Sequence, residues 1–336
     1  MKIGDIERVD KKRMYKVYDE WPENARKCIN KKLKIFNSRF IDHIVFSGMG
    51  GSGSIGDVIT SILSKEDIHI TTIKGYHLPS NLDSNSLIIA ISVSGNTEET
   101  LTTLRNAINT DSSIAAFSSG GKMEDFCHSN NVFHQKIEAI NSPRASFPTY
   151  LFTILKCLEN VIPIKPEDIT EAIDELEKTR EIIYSGNLGA DNPALKLAEW
   201  IKDIPLIYYP WGLESPAIRF KNSLQENSKI HVITEDVVEA SHNGIVAWEK
   251  ESSVKPILIR GQDDYVKTIE RWEVLKEFFD NQNINYFEVN SIQGSILSKI
   301  VNLIYLLDYS SIYHAVLNNI DPTPVKAIEF MKNRID

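Results

Sequence analysis

An apolar run from Ile44 to Phe46 leads directly into Gly48-Met49-Gly50-Gly51-Ser52-Gly53-Ser54-Ile55-Gly56, after which Ile55, Val58, Ile59 and Ile62 recur with a helical period. Strand, glycine turn, helix is the only regular reading of that pattern, and it recurs along the chain. IHITTIKGY and SLIIAISVSG are further strand candidates, EETLTTLRNAI a helix, SIAAFSSGG and VFHQKI two more strands, and YLFTILKCLENVI a helix. Alternating strands and helices predict a parallel, doubly wound α/β sheet.

Two prolines in IPIKPED mark a boundary near residue 165. Beyond it, DITEAIDELEKTREII and PALKLAEWIKD read as helices. IPLIYYPWG followed by AIRFKNSLQEN repeats the strand, glycine turn, helix logic. KIHVIT, KPILIRG and NYFEVN are strands, DYVKTIERWEVLKEFFDN and the run from Ser295 to Leu317 are helices, and residues 324 to 334 form a last short helix. The second half therefore reads as a degenerate architectural copy of the first, without a strict repeat. Ahead of both, Met14, Val17, Trp21, Ile29 and Leu33 are spaced as in a helical arm. The expected domains are an arm over 1–40, a first domain over 41–163 and a second over 164–336.

A chain of 336 residues suits two domains of ordinary size. Its net charge of −9 argues against a basic face for nucleic acid. Phosphate binding survives that balance, because backbone N–H groups and hydroxyls bind phosphate without local net charge. Cys28, Cys127 and Cys157 are odd in number and far apart, which reads as reduced thiols, not a disulfide frame or a zinc site. No apolar stretch of signal-peptide length opens the chain. The apolar run ending at Leu317 is interrupted by Asn302, Asp308 and His314, so it is expected to be a buried helix and not a membrane span. A cytoplasmic protein without membrane association is expected.

Two loops carry the first chemistry. The segment from Gly48 also satisfies G-x-G-x-x-G, but a dinucleotide site wants an acidic residue at the end of the next strand, and there the chain reads Lys74-Gly75-Tyr76. The second loop, Ser92-Val93-Ser94-Gly95-Asn96-Thr97-Glu98-Glu99-Thr100, follows the strand LIIAI and opens a helix. Helix N-termini offer free N–H groups and a positive dipole end, and Ser92, Ser94 and Thr97 add hydroxyl donors for a phosphate. GMGGSGSIGD followed by SVSGNTEETL resembles the sugar isomerase (SIS) domain. That resemblance implies that Gly50, Gly51, Ser52, Ser92, Ser94 and Thr97 hold a sugar phosphate.

An SIS domain can be an enzyme or a sensor. Aldose–ketose isomerisation needs a base near C1 and C2, a group that opens the sugar ring, and positive charge beside the developing oxyanion. The segments Gln225-Glu226-Asn227, Ala240-Ser241-His242-Asn243-Gly244 and Asp321-Pro322-Thr323-Pro324-Val325 with Met331-Lys332 resemble those of the bifunctional phosphoglucose/phosphomannose isomerases over nearly the whole chain. The family fold this implies is α/β, with two SIS-type subdomains, each a mainly parallel sheet flanked by helices. The implied activity interconverts glucose 6-phosphate and mannose 6-phosphate with fructose 6-phosphate through an enediolate, without metal or other cofactor. Glu226 would be the base and His242 would assist ring opening, reaching into the partner's site of a homodimer. Lys332 would serve ring opening or O5 protonation, and Arg144 would stabilise the enediolate. Without the resemblance, Glu226 would read as a solvated carboxylate and Arg144, between two prolines, as an exposed loop residue. The remaining seven histidines read as structural. Three positions depart from the family pattern: Gln225 for Asn, Gly244 for Glu after His-Asn, and Met331 for Leu. The competing class is a non-catalytic SIS-domain sensor or regulator, which would want a DNA-binding domain ahead of the first strand.

Overall fold

In the computed structural model, which describes residues 1–38 and 40–335, the chain opens with α1 (Ile3–Val9), α2 (Met14–Asp19) and α3 (Trp21–Asn30). The expected arm is thus three short helices. Arg13 takes a left-handed φ of +53° between the first two, and the chain turns extended at Lys31, so Leu33 lies beyond the last. There follow β1 (His43–Ser47), α4 (Gly50–Ile62), β2 (His69–Ile73), β3 (Ser86–Ser92), α5 (Glu98–Ala107), β4 (Ser113–Ser118), α6 (Gly121–Ser129), β5 (Phe133–Lys136) and α7 (Phe147–Cys157). The second half comprises α8 (Pro166–Ile183), α9 (Pro193–Trp200), β6 (Ile204–Tyr209) and α10 (Glu214–Ser223), which runs without a break into a π-helical turn, Leu224–Ser228. Then come β7 (Ile233–Asp236), α11 (Val237–Ala240), a 3₁₀ turn at Gly244–Glu249, β8 (Val254–Arg260), α12 (Val266–Asn281), β9 (Phe287–Asn290), α13 (Ile296–Leu317) and α14 (Lys326–Ile335).

The strand expected over KIHVIT starts later, at Ile233, because Lys229 is left-handed with φ +60° and ends the π turn there. Helix α6 was not expected. Gly120 and Gly121, both at positive φ, start it, and its short sequence carries only Met123 and Cys127 as buried residues, too few to show a period.

Two compact units form. One contains Glu20–Pro166 and the chain from Val325 onward; the other contains Met1–Asp19 and Glu167–Pro324. The arm is therefore divided between the units, and α14 groups with the first sheet instead of the second.

The first unit is built on a five-stranded sheet of order β2-β1-β3-β4-β5, every pairing parallel. The central strands β1 and β3 are buried along their whole length, as a sheet covered on both faces requires, while edge strand β2 is half-exposed. Leu101 and Leu104 of α5 and Met123 and Cys127 of α6 pack with Ala90 and Ala116 on one side of it. The order reverses between β1 and β3, and a crevice opens outside the carboxyl ends of strands at such a point.

The second unit repeats the plan with four parallel strands, β7-β6-β8-β9. One side is filled by Tyr208, Trp248, Leu258, Trp272 and Phe279. Helix α13 is long and apolar enough to cross a membrane by length and composition, and 89% of its most apolar window is buried inside the protein. It is capped at its start by Ser295, whose side chain accepts from the Ser298 N–H.

Candidate active site

Both glycine- and serine-rich loops leave the carboxyl ends of β1 and β3, on either side of the first sheet's switch point. Helix α4 begins inside the first motif, at Gly50. Its N-cap is Met49, which has no capping side chain. Gly50 stands at φ +51° with open space around it. At Gly51 the requirement is proximity: a Cβ there would lie 3.2 Å from the backbone carbon of Pro143 and 3.3 Å from the backbone nitrogen of Arg144. A glycine thus lets the Arg144 loop lie directly on the first turn of α4.

The hydroxyls link the two loops. Ser52, buried, accepts the Val93 N–H through its Oγ at 3.2 Å. Ser92 Oγ accepts the Gly95 N–H at 3.1 Å and is 2.9 Å from Thr97 Oγ1. Ser94, exposed, accepts the Asn96 N–H at 3.2 Å. A hydroxyl that accepts an N–H keeps its own proton. Ser52 and Ser94 each retain one to donate, and the Ser92–Thr97 pair retains one between them. Thr97 is the N-cap residue of α5, as its position suggested, but its side chain makes no cap hydrogen bond. Two helix N-termini without side-chain caps and hydroxyls that still have protons to donate make a cradle for an anion. Glu98 in the first turn of α5 pairs with Arg105 at 2.6 Å, and that hydrogen bond holds its carboxyl below the usual range. Where the dinucleotide reading wants an acid, Lys74 stands just past β2 and pairs with Asp57 at 2.6 Å.

Gly95, at φ +68°, is held against the next turn so closely that a Cβ would fall 1.7 Å from the Gly120 carbonyl oxygen. Val93 is braced through its carbonyl, which accepts from the Ser119 N–H and, at 2.6 Å, from Ser119 Oγ. The sequence reading missed these supports. The consecutive glycines at 120 and 121 were the available signal.

Arg144 is buried, 4% exposed, and not an exposed loop residue. Its turn is fixed on both sides. Ser146 Oγ accepts the Ile140 N–H, and Trp21 Nε1 donates to the Ala145 carbonyl at 3.0 Å. Lys332 lies exposed on α14, in the same unit as the cradle.

Glu226 and His242 belong to the other unit, on separate elements. Glu226 is half-buried in the π turn, between buried Leu224 and buried Asn227 and Ser228. Single π turns within helices recur at functional sites, because the extra residue re-aims the side chains that follow. His242 is exposed in the turn after α11, where its N–H donates to the Glu239 carbonyl. The neighbouring Asn243 donates through Nδ2 to Glu239 Oε1 at 2.7 Å. At Gly244 a Cβ would lie 2.5 Å from Glu235 Oε2, the far end of a flexible side chain that can turn aside. Burial raises the pKa of the Glu235 carboxyl. Ser241 and Ile245, on either side of this turn, line a groove of about 510 Å³ with Val274 and Phe278 of α12. Val274 is 66% exposed there.

The three cysteines are free and buried, and burial pushes the thiols of Cys127 and Cys157 up to about 12, which makes them unreactive.

Residues 190–335 match the family model described as the bacterial phospho-glucose isomerase C-terminal SIS domain. A bifunctional phosphoglucose/phosphomannose isomerase from Caldicellulosiruptor bescii is 32% identical over 94% of this chain and 96% of its own. One from Thermoplasma acidophilum is 29% identical over 89% and 92%. Among solved structures, a glucose-6-phosphate isomerase like protein from Thermus thermophilus superposes with a TM-score of 0.67 at 12% identity, covering 99% of each chain, and so shares the fold. With near-complete coverage of relatives at this identity, the chain belongs to the bifunctional phosphoglucose/phosphomannose isomerase family of enzymes.

Proposed function

We propose that the protein interconverts glucose 6-phosphate and mannose 6-phosphate with fructose 6-phosphate through an enediolate. The observation that carries this reading is the cradle of Gly50, Gly51, Ser52, Ser92, Ser94 and Thr97 at the first sheet's switch point, which suits the phosphate of such a sugar. The phosphate fixes one end of the substrate and leaves C1 and C2 for proton transfer.

In this reading Glu226 takes the C2 proton of the open aldose, the electron pair moves into the C1–C2 bond, and the C1 carbonyl oxygen gains negative charge. The O2 hydroxyl proton passes to O1, and the same carboxyl returns its proton to C1 as the C2 oxygen becomes the carbonyl. A half-buried carboxylate on a braced turn suits a base that shuttles one proton. Arg144, fixed in its turn, would lie beside the enediolate oxygens, where a guanidinium lowers the energy of the developing charge. His242 and Lys332 would open the ring by moving a proton between O1 and O5. Both C2 epimers are accepted if the base meets the C2 proton after rotation about C2–C3. No step calls on a metal or other cofactor. We further propose a cytoplasmic homodimer in which His242 serves the partner's site. Its exposed turn beside the groove at Ile245 and Val274 supports that part.

The test is a coupled assay on chelator-treated protein, following fructose 6-phosphate formation from each aldose separately, with Glu226→Gln alongside. Turnover of both aldoses and a loss of about 10²–10⁴-fold or more in the variant is expected. Turnover of only one would remove the epimer tolerance. If neither reacts while fructose 6-phosphate still raises the melting temperature, the protein is a sensor and the isomerase reading falls.

A further inference from the structure

Asp308 interrupts an otherwise apolar helix and is fully buried, as is its partner Arg219 at 2% exposure. Every polar contact described for its side chain goes to its own unit. Oδ2 accepts from Arg219 Nε at 3.0 Å and from Arg219 Nη2 at 2.7 Å, and Oδ1 accepts from Ser223 Oγ at 2.6 Å. Tyr18 Oη lies 3.4 Å from Oδ2. One carboxylate therefore grips two residues of α10 that are four apart and share a face. Three residues along α13, Ser311 makes the second grip. Its Oγ donates to the Asp308 carbonyl and accepts from Asn227 Nδ2 at 2.8 Å, and its carbonyl accepts from Ser228 Oγ at 2.9 Å.

The two grips bracket Leu224, Gln225 and Glu226. Residues 219 and 223 are held before the π turn and 227 and 228 are held within its end, so Glu226 projects from the segment between them. Apolar packing of α10 on α13 would set their spacing but would leave sliding and rotation soft, whereas a buried charge pair with paired hydroxyls fixes both. Conformational definition is a recognised return on such a pair, which gives little net stability over apolar replacements.

We propose that Asp308, through Arg219 and Ser223 and with Ser311 through Asn227 and Ser228, is a positioning residue that aims the Glu226 carboxylate for proton transfer. The proposal rests on Glu226 being the base. The double variant Arg219→Met/Asp308→Leu replaces the pair by apolar side chains and removes both buried charges together. It is expected to melt within about 5 °C of the parent. Its kcat for fructose 6-phosphate formation is expected to fall by about tenfold or more, with KM within about twofold, because misplacement of a reacting group by about 1 Å can cost about 10²-fold. In the Glu226→Gln background the same pair of substitutions is expected to change the residual rate by less than about twofold, since there is no carboxylate left to misplace. If the double variant does not fold, Ser311→Ala removes the Asn227 half of the second grip, leaving the backbone contact with Ser228, and is held to the same comparison in both backgrounds. A folded variant with undiminished kcat beside an inactive Glu226→Gln overturns the positioning role alone. So does an equal fall in both backgrounds. Full activity in Glu226→Gln itself overturns the base assignment and the positioning role with it.

Discussion

Two glycines in the glycine- and serine-rich loops show how differently one residue type can be required. Gly50 and Gly95 are both left-handed, but Gly50 has nothing within 4 Å of a built Cβ, whereas at Gly95 that atom would fall 1.7 Å from a carbonyl oxygen. Gly50→Ala is expected to cost only the conformational penalty, about 1 kcal/mol. Gly95→Ala must also open the turn at Gly120, and a loss of about 3 kcal/mol or more is expected in urea unfolding. Its KM should rise more than its kcat falls, because the Gly95 N–H orients Ser92 Oγ in the cradle. Equal unfolding free energies for the two variants would contradict this account. Gly244 is a third kind, where a side chain would need only the Glu235 carboxyl to move aside.

At the scale of elements, the strand–loop–helix units were legible because central parallel strands are apolar throughout and α4 and α5 keep a clean period. The cradle was legible for the same reason, since the hydroxyls sit at strand ends where the topology opens a crevice. The burial of Arg144 was not, because the supports of its turn, such as Trp21 and Ser146, come from scattered positions. The π turn was also hidden. LQENS continues the pattern of α10, and what sets it apart is the grip of Ser311, eighty-four residues from Asn227. Asp308 was visible as an interruption, but its consequence needs Arg219 in space. Helix α13 carries a second such interruption, His314, 5% exposed, whose pKa burial lowers. A histidine depressed on folding binds fewer protons than in the unfolded chain, so its contribution to stability is present above about pH 6.5 and is lost as pH falls through the folded value. His314→Gln should therefore flatten the decline of melting temperature from pH 7 toward pH 5 relative to the parent. An unchanged slope would assign the decline to other groups, with His43 and His134 next, since burial lowers both.

For the whole molecule, the proposed homodimer predicts a light-scattering mass near twice that of the chain at micromolar concentration, and a mixture of two inactive variants, Glu226→Gln and His242→Ala, should regain activity if each site draws on both chains. A monomer, or a mixture that stays inactive, would remove the shared site. The division of the chain has a consequence for how the protein is made. Residues 1–19 belong with 167–324, and their partners arrive late: Tyr305 donates to the Tyr18 carbonyl at 2.7 Å and Tyr309 to Asp19 at 2.6 Å. At roughly 5–20 residues per second the ribosome takes about 15–60 s to deliver that stretch of chain. The apolar side chains of Ile6, Met14, Tyr15 and Tyr18, fully or almost fully buried in the finished protein, emerge long before the helix that covers them. The first-sheet unit can assemble most of its sheet meanwhile, so the nascent chain carries a sticky apolar segment beside a nearly complete domain, a segment that invites a chaperone until α13 is synthesised.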